Sequence, residues 1–216
     1  MAEPAAEPLR VGVLTSGAGT NLQALLDTVH GEAALIVAVA ADKRTAGALA
    51  RAHNAGVETA VFAIGEYPDR GARDAAIAEW LIGHDVELVV LAGYMALLTS
   101  PFLSRFPDAV VNIHPSLLPA FPGVRAIEQA IDYGVKVFGV TVHFVLDDGG
   151  VDTGPIIAQG AIELADTTDP ETVHDALRCV EHTLLPEAVR LIARGAVSRD
   201  PDNPRRTVVA ADDPPA

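Results

Sequence analysis

Val110-Val111-Asn112-Ile113-His114-Pro115-Ser116-Leu117-Leu118-Pro119-Ala120-Phe121-Pro122-Gly123 is the stretch on which the reading of this chain turns. An apolar run delivers Asn112 and His114 at alternate positions, and Pro115 then stops regular structure. Side chains two apart on a strand point to the same side. The amide and the imidazole are therefore expected to face one way together, at the C-terminal end of a strand. In open α/β sheets that end is where ligands bind. An amide and an imidazole held side by side can polarise a carbonyl and move a proton. Prolines at 119 and 122 restrict the loop that follows. A lone histidine on a strand is as readily a packed structural residue. The conjunction of Asn112, His114 and a stiff loop is what points to chemistry.

Upstream, the chain alternates apolar strands with helical segments. Strands are expected over 9–15, 35–41, 57–62 and 87–92, and helices over 22–30, 45–54 and 69–84. Such alternation predicts an α/β fold: a single domain with a Rossmann-like, mostly parallel sheet flanked by helices. Near-continuous apolar strands fit burial on both faces. Between the first strand and helix lies Ser16-Gly17-Ala18-Gly19-Thr20-Asn21. A glycine-rich turn opening a helix offers free N–H groups and partial positive charge to an anion. The stretch is neither a Walker loop nor a full dinucleotide fingerprint, so a phosphate site and a simple tight turn both remain open. Gly93-Tyr94-Met95-Ala96-Leu97-Leu98 is apolar where a loop should begin. It is either core packing or the wall of a ligand slot.

Downstream, a helix is expected over 125–133, then strands over 137–145 and 156–164 that form a hairpin-type excursion from the parallel sheet. The acidic loop between them contains Asp147, Asp148 and Asp152. It lacks the spacing of a calcium loop, and a solvated turn suffices for Asp147 and Asp148. Asp169 and Pro170 open the last long helix, as N-cap and first-turn proline, which runs to about residue 194. His174, Arg178 and Glu181 share one stripe of it, either a solvated face or part of a site. Residues 1–8 are expected to be a disordered lead, 9–195 the folded domain and 196–216 a flexible tail.

Composition narrows the function. The 216 residues are half hydrophobic and carry a net charge of -14, which disfavours nucleic acid as a partner. A small anion held by backbone amides and one or two cations remains possible. The single cysteine, Cys179, is expected to be a small core residue. No long uncharged apolar run predicts a membrane span, and the acidic N-terminus is unlike a secretory signal. The expected compartment is the cytoplasm. No residues have the spacing of a structural zinc site, and no metal is expected.

The residues quoted, with Leu91-Ala92-Gly93-Tyr94-Met95, Val142-His143-Phe144-Val145 and Asp152-Thr153-Gly154-Pro155, stand in an order that resembles the folate-dependent phosphoribosylglycinamide formyltransferases. The resemblance covers about residues 9–195. It implies that Asn112, His114 and Asp152 are the catalytic trio. It implies that Gly19, Thr20 and Asn21 hold the ribonucleotide phosphate, and that Arg178 and Glu181 face the ribonucleotide, with Glu181 suited to receive the glycinamide amine. It implies a folate slot lined by Met95, Ala96, Leu97, Leu98, Asn112, Leu146, Asp147 and Asp152, with Arg70 near the folate tail. Family members often carry a longer side chain, such as arginine, where Ala96 stands.

The implied reaction moves the formyl group of 10-formyltetrahydrofolate to the amine of glycinamide ribonucleotide (GAR), in purine biosynthesis. Folate is a consumed co-substrate and the enzyme is a monomer or homodimer. Asn112 and His114 would stabilise the developing oxyanion, and Asp152 would pair with His114 directly or through water. A formyltetrahydrofolate deformylase is one alternative; such enzymes usually carry an extra N-terminal domain. A non-catalytic nucleotide-binding module is the other.

Overall fold

Alternate residues of the central strands feed two separate cores, and this fixes the architecture. The computed structural model describes residues 7–210. Val11 and Val13 of β1 (Leu9–Thr15) join Leu88 and Val90 of β4 (Leu88–Leu91) in one core. Helices α1 (Thr20–Thr28), α2 (Gly47–Asn54), α5 (Ala126–Tyr133) and α6 (Pro170–Ala193) close that core. Leu14, Val89 and Leu91 point the other way, into a core closed by α3 (Arg70–Ile82) and α4 (Ser100–Leu103). The remaining strands are β2 (Ala34–Ala41), β3 (Glu58–Val61), β5 (Val110–His114), β6 (Val137–Phe144) and β7 (Ile156–Glu163). The sheet order is β3-β2-β1-β4-β5-β6-β7. Pairings from β3 through β5 are parallel, and β6 and β7 are each antiparallel to the strand before. The mostly parallel, two-faced single domain is the one expected.

The register of β5 is what positions the site. Val111 and Ile113 enter the first core, and Val110 enters the second, so Asn112 and His114 follow Val110 to the α3 side. A one-residue slip would exchange two buried aliphatic side chains for an amide and an imidazole. Each aliphatic side chain removed from its core forfeits about 1.5–3 kcal/mol, so the register is held.

Helix α1 starts at Thr20, two residues earlier than expected, because Gly19 at φ 76° turns the chain straight from β1 into the helix. Helix α6 starts as expected: the Asp169 carboxylate accepts from the N–H groups of Glu171 (3.3 Å) and Thr172 (3.0 Å). Two expectations are corrected. Cys179 is exposed on α6, on the side turned from the core. The tail is not structureless: β8 (Val197–Arg199) and β9 (Thr207–Val209) pair as an antiparallel hairpin. The hairpin docks on the start of β7, where Thr207 Oγ1 donates to Ile156 O at 2.5 Å. The ends of the lead and tail, residues 1–6 and 211–216, lie outside the described residues. Among the described residues no helix is long and apolar enough to cross a membrane.

Candidate active site

At the end of β5 the chain brings four polar side chains together. Asn112 pairs in register with His143 of the antiparallel β6, and Asn112 Nδ2 lies 3.3 Å from His143 Nε2. Asp152, in the 145–155 loop, reaches back to both strands. Its Oδ1 is 3.4 Å from Asn112 Nδ2 and 3.5 Å from His143 Nε2. Its Oδ2 is 3.3 Å from His114 Nδ1 and accepts the Gly123 N–H at 2.7 Å. Asp152 takes φ 55°, a left-handed backbone that aspartate tolerates better than most residues. The loop returns tightly because residue 154 is glycine: a Cβ there would stand 1.8 Å from the Phe144 carbonyl oxygen.

The partners assign protons. His114 Nε2 lies 2.9 Å from Phe121 O, which can only accept, while Nδ1 faces the Asp152 carboxylate. Both ring nitrogens of His114 thus face oxygen atoms. Burial pushes the Asp152 carboxyl up, but the His143 contact, the Gly123 N–H and the two imidazoles together hold it below the ordinary value. His143 Nδ1 donates to Phe144 O at 2.9 Å, which leaves Nε2 between the Asn112 donor and the Asp152 acceptor. The cluster therefore sets two imidazoles and a carboxylate beside an amide donor, groups among which a proton can pass.

These groups form one wall of a cavity of about 410 Å³. The expected apolar segment, Met95, Ala96, Leu97 and Leu98, lines it, and so do Leu146, Asn112, His114 and Asp152. Residues 93–98 thus line the cavity and also pack inward: Tyr94 is buried in the second core, with Ala96 and Leu98 against it. Arg70 and Asp147 are not among the lining residues. Arg70 is exposed at the start of α3, and the Asp147 carboxylate accepts from Ser100 Oγ at 2.9 Å. His143 was missed from sequence. Its signal was a polar residue two places after Thr141 on a strand otherwise apolar, opposite the Asn112 strand.

A second cluster forms around the glycine loop. Gly19 passes against α2: a Cβ there would stand 2.5 Å from the Ala48 Cβ. No side chain caps the start of α1. Asn21 Nδ2 donates to Glu181 Oε2 at 2.9 Å, bringing α1 and α6 together, and Glu181 is buried. Arg178 lies one turn before Glu181 on α6 and is tied to Asp175 at 2.8 Å, with His174 Nδ1 at 3.5 Å. The guanidinium Nε is buried with no hydrogen-bond partner. The stripe on α6 is therefore only partly a solvated face: Glu181 is buried against Asn21, while His174 is exposed.

Comparison with known proteins bears on this arrangement. Residues 9–189 match the formyl transferase family. The phosphoribosylglycinamide formyltransferase of Mycobacterium tuberculosis is 42% identical over 196 residues, covering 90% of each chain. The crystal structure of glycinamide ribonucleotide transformylase 1 from Symbiobacterium toebii superposes with a TM-score of 0.89 at 43% identity, covering 95% of this chain and 96% of that one. A formyltetrahydrofolate deformylase from Pseudomonas syringae superposes with a TM-score of 0.85 at 25% identity, and 67% of that chain is covered.

Proposed function

This chain belongs to the formyl transferase family, in its phosphoribosylglycinamide formyltransferase branch, and on that premise we propose that it transfers a formyl group from 10-formyltetrahydrofolate to the amine of GAR. The products are formyl-GAR and tetrahydrofolate, a step of purine biosynthesis. The observation that carries the reading is the Asn112, His114 and Asp152 cluster at the wall of an apolar slot. The deformylase reading is less favoured, since its representative is the more distant relative.

The amine nitrogen attacks the formyl carbon, and negative charge develops on the formyl oxygen. Asn112 offers it an N–H, and the His114 imidazolium adds positive charge beside it. Such donors are worth about 3–4 kcal/mol where measured. Asp152, 3.3 Å from Nδ1, orients the His114 ring. The bond from the formyl carbon to folate N10 then breaks, and the proton lost by the amine ends on N10. Met95 to Leu98, with Leu146, suit a flat heterocycle that needs apolar walls and a few backbone polar groups. Asp147, next to the slot-lining Leu146, is proposed to contact the folate, and Arg70 to meet the acidic folate tail outside the slot. Gly19, Thr20 and Asn21 are proposed to take the phosphate at the uncapped end of α1. Arg178 and Glu181 would face the ribonucleotide, with Glu181 receiving the amine. The proposal keeps the cytoplasmic setting and the monomer or homodimer expected from sequence.

A spectrophotometric assay with 10-formyltetrahydrofolate, with and without GAR, tests the reading beside His114→Ala. Turnover that needs GAR and disappears in the variant is expected. Formyl loss that ignores GAR would favour the hydrolase, and no folate chemistry would leave a binding module.

A further inference from the structure

The segment that forms the apolar wall of the slot has no regular secondary structure between β4 and α4. Its position must come from what holds its two ends. At the near end Ser16, directly after β1, takes both anchors: Ser16 N–H donates to Gly93 O at 3.0 Å, and Met95 N–H donates to Ser16 Oγ at 3.0 Å. At the far end the anchor is Asp74 of α3. Asp74 Oδ2 accepts from Thr99 N at 2.9 Å and from Thr99 Oγ1 at 2.8 Å. Its other oxygen accepts from Arg73 Nε (3.1 Å) and a terminal Arg73 nitrogen (2.8 Å).

This carboxylate is fully buried, and Arg73 beside it is 1% exposed. Neither side chain lines the slot. Removing an ion pair from water is costly, so a buried pair is weak evidence for stability alone. Here the pair does something further: it fixes a carboxylate where Thr99 ends the wall. Tyr94, inside the wall, turns its hydroxyl to the same interior. That hydroxyl is buried without a hydrogen-bond partner, as is Asp42 Oδ1. Burial first, moderated by Arg73, pushes it up to about 12, so it stays protonated. The next residue, Ser100, bonds Asp147 in the facing loop. The Thr99–Ser100 step thus joins α3, the 93–98 wall and the acidic loop at one corner.

We propose that Asp74 is a positioning residue for the folate slot: held by Arg73, it clamps Thr99 and so sets where residues 95–98 stand against a bound reduced folate. The proposal rests on the function proposed above. The Asp74–Thr99 contact lies at the end of the wall away from Ser16 and the glycine loop, and α6 takes no part in it, so loosening it should leave the ribonucleotide side untouched.

Titration calorimetry with 5-formyltetrahydrofolate, an unreactive reduced folate, tests it on the whole chain. Thr99→Val removes one arm of the clamp and keeps the Arg73–Asp74 pair. It should weaken binding about fivefold, the effect of one hydrogen bond. Thr99→Ser keeps the hydroxyl and should bind like wild type; Thr99 makes no side-chain cap on α4 for serine to disturb. In steady-state assays the KM for the folate should rise in Thr99→Val while that for GAR stays within about twofold. Asp74→Asn, which sets a donor against Thr99 or Arg73, should weaken folate binding more than tenfold. If that variant does not fold, the Thr99 pair decides alone. Equal binding by Thr99→Val and wild type, or an equal rise in both KM values, overturns the clamp. A wild type that binds no reduced folate overturns the function and the clamp with it.

Discussion

Asp152→Asn changes almost no volume and tests the cluster at its centre. It removes the charge that faces His114 Nδ1 at 3.3 Å. It also places an NH2 either against the Gly123 N–H, now bonded at 2.7 Å, or against Asn112 Nδ2, now at 3.4 Å. Either rotamer sets donor against donor. Hydrogen bonds to charged groups contribute about 1.5–3 kcal/mol each. The loss of the charge and the displacement of one oxyanion donor together should cost the transition state about 3–4 kcal/mol. At roughly 1.4 kcal/mol per factor of ten, kcat should fall about 100- to 1000-fold. The assay is steady-state formyl transfer with both substrates saturating, alongside thermal unfolding. Stability should respond to pH with a definite sign. The folded-state carboxyl titrates below its unfolded value of about 3.9. Its contribution is therefore complete above about pH 4 and is lost as pH falls through the folded value. The Tm gap between wild type and Asp152→Asn should close on acidification below pH 4. A kcat within about threefold of wild type would refute the reasoning.

Three further outcomes follow from the same geometry. Asn112→Ala should lower kcat about 100-fold with little change in either KM, since the amide is assigned to the developing oxyanion; a pure KM effect would move Asn112 to ground-state binding. Glu181→Gln should raise the KM for GAR about tenfold and leave folate binding alone, because the carboxylate meets Asn21 at 2.9 Å on the glycine-loop side; calorimetry with each substrate separates the two. Gly19→Ala forces a Cβ to 2.5 Å from the Ala48 Cβ at a φ of 76°, and denaturant melts should show a loss of about 2 kcal/mol or more.

The sheet and the β5 dyad were legible because both depend on local rules. The two-residue alternation of Val110 to His114 and the proline that ends it need no tertiary information. Asp169 and Pro170 announced a helix start on the same basis. What escaped depended on contacts across the sheet. His143 enters the cluster only because β6 runs antiparallel to β5 and sets it opposite Asn112. Cys179 sits among apolar residues in the sequence, yet its angular position on α6 turns it outward. The 197–209 hairpin is polar and proline-rich, composition that suggests a free tail; docking on β7 is what orders it. Asp147 was placed beside the folate by the resemblance alone, and its contact with Ser100 Oγ, 47 positions away, was not legible in the sequence.

The bond between Asn21 and Glu181 joins residues 160 positions apart. During synthesis the glycine loop and its helix leave the ribosome first. At about 5–20 residues per second, the glutamate follows roughly 8–32 s later. Until α6 docks, Asn21 lacks that partner, and the side proposed for the ribonucleotide lacks Glu181. Asn112 and Asp152 likewise come from segments separated by α5 and β6. A chain arrested or cleaved before α6 therefore cannot assemble both halves of the site. Turnover thus reports on a chain whose α6 has docked, and translation fragments that stop before it should not transfer the formyl group.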